Sequence, residues 1–153
     1  MTPAITLAPL TVEHHIDAVQ QVYLATPTFW SKFELSTAPC GQAERDLREV
    51  EETPDRSMLG IIKRVQDDKP EAGYEMIGIV DFRLYWPNEK TAYIGMLMVA
   101  EPFQRRGIGT QAIQLLEPWL ATSANIETIR LGVEQFNTDA LRFFGTIEFT
   151  LTG

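Results

Sequence analysis

Between residues 99 and 110 the chain reads Val99-Ala100-Glu101-Pro102-Phe103-Gln104-Arg105-Arg106-Gly107-Ile108-Gly109-Thr110. An apolar run stops, a polar loop carrying amide and guanidinium groups follows, and two glycines open a helical pattern. The first turn of a helix leaves backbone N–H groups without carbonyl partners, and the aligned peptide dipoles place partial positive charge there. Glycine removes the Cβ that would keep an anion at a distance. Gln104, Arg105 and Arg106 add donors, and Arg105-Arg106 is the only adjacent arginine pair in the chain. The chemistry this supports is capture of a phosphate or pyrophosphate. A glycine pair alone could equally make a plain tight turn, so the elements around it must decide.

Those elements follow from residue periodicity. Ile5, Thr6 and Leu7 read as a short strand. Thr11 is placed to cap a helix to Leu24, with Val12, Ile16, Val19 and Tyr23 at helical spacing. Pro27 is expected to end it, leaving Thr28-Phe29-Trp30-Ser31-Lys32-Phe33 as an aromatic connector before a charged helix over Gln42–Glu52 that Pro54 stops. Strands are expected at residues 58–65, 74–85 and Thr91–Val99, with a polar turn at 66–73 and a break at Trp86-Pro87-Asn88. A helix over 109–121 follows, interrupted by a kink or stop near 114–117 because Pro118 lacks the N–H that a helix interior needs. A strand at 128–133 and a short helix at 138–144 close the pattern. Short turns make the middle strands antiparallel, and the strand–helix–strand unit over 91–133 is a parallel right-handed crossover. The fold class is α+β: a mixed, mostly antiparallel twisted sheet flanked by helices on both faces. Residues 1–153 form a single domain, with 1–57 on the acceptor side and 58–153 as the sheet core.

In this setting the chain resembles the GCN5-related N-acetyltransferases. Their acyl-CoA motif is Gln or Arg, two variable residues, Gly, any residue, then Gly or Ala, matched by Gln104-Arg105-Arg106-Gly107-Ile108-Gly109. Apolar residues Met96-Leu97-Met98-Val99 precede it, and Leu131-Gly132-Val133 followed by Asn137 matches the family's next strand and the start of its last helix. The resemblance implies that backbone amides of Gln104, Arg105, Arg106, Gly107, Ile108, Gly109 and Thr110 hold the pyrophosphate of acetyl-CoA. It implies that Leu97, Met98 and Val99 pair with the pantetheine arm, that an amide near Met98 or Val99 polarises the thioester carbonyl, and that Asn137 lies by the thiol end. The strands at 91–99 and 128–133 would splay to admit the cofactor. The reaction implied is direct attack by an amine, without an acyl-enzyme. Cys40 lies far from the motif and is not expected to be a nucleophile.

Three departures bear on catalysis. Phe144 stands near the position where many relatives carry a Tyr that protonates the leaving thiolate. The positions where relatives carry a general base match Tyr93 and Gly132, so the remaining candidates are Asp81, Tyr93 and Glu134, or a bound water. Asp81 interrupts the apolar run Ile77-Gly78-Ile79-Val80-Asp81-Phe82, either as an outward position on an alternating strand or as a charge with a chemical use. Relatives also end in a hairpin that is short or missing here after Phe149, so an exposed sheet edge is expected, open to a second copy of the chain as a homodimer.

Composition narrows the class. The 153 residues are 44% hydrophobic and 22% charged, ordinary for a globular chain. No apolar run reaches the ~20 residues of a membrane helix, and the N-terminus lacks a signal-peptide pattern, so a cytoplasmic protein is expected. A net charge of −8 disfavours nucleic acid. With the aromatics Phe29, Trp30, Phe33, Tyr85 and Trp86, it favours a cationic small-molecule or peptide amine as acceptor. One cysteine and the adjacent His14 and His15 give no metal-binding pattern, and no metal is expected. Two other readings fit parts of the sequence. Gly107-Ile108-Gly109-Thr110-Gln111-Ala112 also matches a dinucleotide motif, with Glu127 as ribose contact, but seven residues separate it from its strand. The other is an acyl-CoA binder, a sensor or assembly module, without catalysis.

Overall fold

The computed structural model describes residues 5–31, 33–64, 73–86 and 88–131. Among these residues five strands form one sheet in chain order: β1 (Ile5–Pro9), β2 (Arg56–Arg64), β3 (Tyr74–Leu84), β4 (Thr91–Val99) and β5 (Thr128–Leu131). The first four are antiparallel, and β5 runs parallel to β4 after the crossover helix α4 (Ile108–Ser123). α1 (Val12–Leu24), α2 (Pro27–Ser31) and α3 (Gln42–Glu52) cover the opposite face. The expected mixed α+β sheet is present. The 66–73 turn, apart from Gly73, the 138–144 helix, the closing hairpin, Glu134, Asn137 and Phe144 lie outside the described residues.

Two buried clusters follow from this layering. On one face Ile61, Val80, Phe82 and Ile94 pack under Ile108, Ala112, Ile113, Leu116 and Leu120 of α4. On the other, Met58, Ile79 and Met98 meet Val19, Val22 and Tyr23 of α1 and Leu47 and Val50 of α3. α1 begins as expected, Thr11 Oγ1 accepting from the His14 N–H at 3.3 Å. Two irregularities set which residues share a face. Ile77 is an extra residue of β3 between the pairs Ile61↔Gly78 and Ile62↔Met76. Gly95 is an extra residue of β4 between Asp81↔Met96 and Phe82↔Ile94. Each bulge reverses the inward–outward parity of the strand beyond it.

Three expectations are corrected. Pro27 opens α2 rather than only closing α1, because a first-turn proline forfeits an N–H that has no partner there. α4 runs through Pro118 to Ser123 with no stop. Pro118 and Gln114, whose carbonyl loses its bond, both lie on the exposed side, where water can replace the missing donor. Asp81 does not point outward, because helices cover both faces of the sheet; it is buried at 7% exposure on the α1–α3 side.

Candidate active site

The crossover places the polar loop at the end of β4. A 3-10 turn (Glu101–Phe103) follows the strand, and Gly107 then caps α4 in the left-handed region at φ 76°. This interval is why the glycines do not follow their strand directly, as a dinucleotide motif would require. The first helical bond is from the Gln111 N–H to Gly107 O at 3.0 Å, leaving the N–H groups of Ile108, Gly109 and Thr110 at the open helix end. A Cβ on Gly107 would meet nothing within 4 Å, so the approach to these donors is clear. Arg105 and Arg106 are exposed, and Arg106 lies over the Phe103 ring. The Gln104 side chain is spent on structure: its Nε2 donates to Val99 O at 2.8 Å and holds the loop against the strand end.

Two further contacts fix this loop from the helical layer. The Glu101 N–H donates to Ala25 O at 2.9 Å, and Glu101 Oε1 accepts from the Thr28 N–H at 2.9 Å and from the Thr28 hydroxyl. The Thr28 hydroxyl and N–H together hold the Glu101 carboxyl below the ordinary glutamate range.

Among the described residues β5 pairs β4 from Thr91 to Ile94, and on that edge no strand pairs Gly95 to Val99, whose other edge is held by β3. Main-chain groups along a strand alternate between its two edges. The Ala100 N–H donates to Ile77 O of β3, so Met98 and Met96 face β3 as well. Leu97 and Val99 therefore direct their main-chain groups to the open edge, and Val99 O is the one that Gln104 takes. Met98 is corrected to the β3 side of the strand: its carbonyl would lie 2.5 Å from a Cβ on Gly78.

On the α1–α3 face a cavity of about 350 Å³ opens beside the Gly95 bulge, lined by Asp46, Arg56, Asp81, Arg83, Trp86, Tyr93 and Met96 among others. Asp81 and Tyr93 are thus brought together. Asp81 is not a free carboxylate. Arg56 Nε donates to its Oδ1 at 3.0 Å and Arg56 Nη2 to its Oδ2 at 2.7 Å, while Arg56 Nη1 reaches Glu49 at 3.2 Å. Burial pushes the Asp81 carboxyl above the ordinary carboxylate range, against the pull of that guanidinium. Its hydrogen bonds to Asp81 hold Arg56 charged, well above the ordinary arginine value. Beside them Tyr23 donates to Asp46 Oδ2 at 2.6 Å and Gln42 Nε2 to Asp46 Oδ1 at 2.8 Å. Burial, then the Asp46 hydrogen bond, push the Tyr23 phenol far up, so it stays a neutral donor.

Sequence reasoning passed over Asp46, Arg56 and Arg83, since a charge in a helix or at a strand end reads as surface until the opposing element is in place. The aromatics split. Phe29 packs with both Trp30 and Phe33, and Trp30 Nε1 donates to Tyr23 O, whereas Trp86 stands edge-on to Tyr93 at 4.9 Å in the cavity wall.

Comparison with known proteins agrees with this geometry. No curated protein matches the sequence. Among solved structures the fold is similar to an acetyltransferase from Thermus thermophilus, with 23% identity, a TM-score of 0.78, and coverage of 97% of this chain and 88% of that one. It is also similar to AAC(6')-Iy in complex with a bisubstrate analogue of CoA and acetylneamine (14% identity, TM-score 0.67, coverage 98% and 93%). A third is a ribosomal-protein-alanine N-acetyltransferase from Brucella melitensis biovar Abortus 2308 (15%, 0.64, 96% and 93%). Residues 24–149 match the Acetyltransferase (GNAT) family, to which this chain therefore belongs.

Proposed function

We propose that residues 1–153 act as one acetyl-CoA-dependent N-acetyltransferase domain that acetylates an amine. The observation that carries this is an open helix N-terminus following β4, an edge of β4 from Gly95 to Val99 that no described strand pairs, and a cavity beside the Gly95 bulge. In this reading the N–H groups of Ile108, Gly109 and Thr110, with Arg105 and Arg106, hold the pyrophosphate, and Gly107 keeps their approach open. The main chain of Leu97 and Val99 pairs with the pantetheine arm, as a further strand would. The Leu97 N–H, two residues after Gly95, donates to the thioester carbonyl and stabilises the charge that develops on its oxygen. Asn137 is assigned to the thiol end by its motif position alone.

The acceptor enters through the cavity on the other face. Its neutral amine attacks the carbonyl carbon; the C–N bond forms, the C–S bond breaks, and the nitrogen's proton ends on the departing thiolate. With both Asp81 oxygens engaged by Arg56, the proton path falls to Tyr93, Glu134 or solvent water, and Asp81 shapes the cavity floor instead. Placing acetyl-CoA and amine in adjacent slots converts their encounter into a near-unimolecular step. Similar structures include a CoA complex of an aminoglycoside acetyltransferase, which supports an amine acceptor. The test is thiol release from acetyl-CoA over a panel of amines, amino acids and peptides. Acceptor-dependent release supports the proposal; tight acetyl-CoA binding with no release under any acceptor favours a binding module, the reading that the sequestered Asp81 lends weight to.

A further inference from the structure

Four charged side chains line the cavity, Asp46, Arg56, Asp81 and Arg83, and the first three are engaged by described neighbours. Asp81 and Glu49 are matched by Arg56, and Asp46 takes hydrogen bonds from Tyr23 and Gln42. Arg83 enters none of the ion pairs found among the described residues. It is half-buried, and its guanidinium lies 5.8 Å from the Trp86 ring centre. In register it stands directly across from Arg56 on β2 and from Tyr93 on β4. Two arginines directly opposite each other repel. Arg56 is bound by Asp81 and Glu49; among the described residues Arg83 has the Trp86 ring beside it. Such a guanidinium, planar and steadied by an indole, is suited to grip a carboxylate through two hydrogen bonds.

We propose that Arg83 anchors a carboxylate of the acceptor, and that the substrate is an amine whose acidic group lies several bonds from the reacting nitrogen, as in a short peptide or an ω-amino acid. The spacing comes from the sheet. Arg83 pairs with Tyr93, two residues before the Gly95 bulge where the amine must arrive, a distance of ~7 Å at the rise of a strand. The nitrogen and carboxylate of an α-amino acid lie closer together than that main-chain separation. A polyamine or aminoglycoside would set a second cation against Arg83. The chain's overall charge of −8 does not reverse this, because surface charges beyond ~8 Å are largely screened at physiological salt. In this reading the acceptor carries mixed charge, where the sequence alone led to the expectation of a cationic one. The inference rests on the acyl-transfer reading, and its test separates the two.

Thiol release from acetyl-CoA is measured with ω-amino acids of two to six carbons, with the corresponding carboxamides, and with spermidine, for the native protein, Arg83→Gln and Arg83→Lys. The native protein should prefer the carboxylate to its carboxamide by ~10-fold or more in kcat/KM at about five carbons. Arg83→Gln should bring that ratio near one, with Arg83→Lys in between. A general structural defect would lower both substrates alike and leave the ratio standing. A native preference for carboxamide or spermidine, or a ratio that survives Arg83→Gln, overturns the proposal while acyl transfer stands. If neither these compounds nor the wider panel of amines, amino acids and peptides releases thiol, the acyl-transfer reading fails. Calorimetric titration of 5-aminovalerate then decides: binding lost in Arg83→Gln upholds the anchor, and no binding to the native protein overturns it. Should Arg83→Gln not fold, the native ratios and Arg83→Lys carry the same decision.

Discussion

Replacing Arg56 with Met removes the guanidinium and keeps most of the apolar stem, so it asks what Asp81 is for. In the native chain that carboxylate is 7% exposed and accepts hydrogen bonds at 3.0 and 2.7 Å from Arg56. Removing one partner of a buried ion pair costs about 3–5 kcal/mol, since the other charge is left without solvent or counterion. The Arg56 side chain is 23% exposed, which lets water reach part of the vacated space and places the expected loss near ~3 kcal/mol. The loss has a pH signature. Without Arg56, burial acts unopposed and lifts the folded-state carboxyl further above its unfolded value. A group raised in this way contributes stability below its unfolded pKa and loses it as pH rises through the folded one. Urea unfolding followed by tryptophan fluorescence should therefore show a deficit that is small near pH 4 and full at about pH 7. Arg56→Met with Asp81→Asn should recover most of it, because the neutral amide is cheaper to bury. A deficit under about 1 kcal/mol, or one that does not change with pH, would show that Asp81 is not held as an ion pair and would reopen it as a catalytic base.

Other consequences follow from single contacts. Gly107→Val forces a branched side chain into φ 76°, costing ~1–2 kcal/mol, and stands across the approach to the α4 amides, so acetyl-CoA affinity by calorimetry should fall at least tenfold while the circular dichroism spectrum is kept. Gly78→Ala puts a Cβ 2.5 Å from Met98 O, backbone that cannot yield cheaply, and should lower stability by ~1–3 kcal/mol in urea titration. The Glu101 carboxyl is held low by Thr28, so its contribution is full above the ordinary glutamate pKa and vanishes as pH falls through the lowered value. Unfolding midpoints of native protein and Glu101→Ala should accordingly differ at neutral pH and converge in acid.

The cofactor half of the molecule was legible because its signals are local. β4 occupies Thr91–Val99 and α3 Gln42–Glu52 as the periodicity requires, and the glycines of the loop mark a helix start wherever they occur. The acceptor half was not, for reasons that lie beyond any one segment. Asp81 could be read as outward only if one face of the sheet met water, and α1 and α3, both distant from it in sequence, cover that face. The bulges at Ile77 and Gly95 reverse strand parity, and bulge sites depend on the partner strand's register. Pro118 was read by its cost within an isolated helix, whereas its exposure and the packing of Leu116 and Leu120 carry the helix past it. Arg56 and Arg83 become a matched and an unmatched cation only once β2 and β3 are paired.

The central claim is that the first amides of α4 grip a pyrophosphate. Amide NMR spectra recorded with CoA and with pantetheine, which lacks the phosphates, test it directly. The account predicts large shifts at Gly107, Ile108, Gly109 and Thr110 with CoA alone; saturable CoA binding that leaves those four amides unmoved would contradict it.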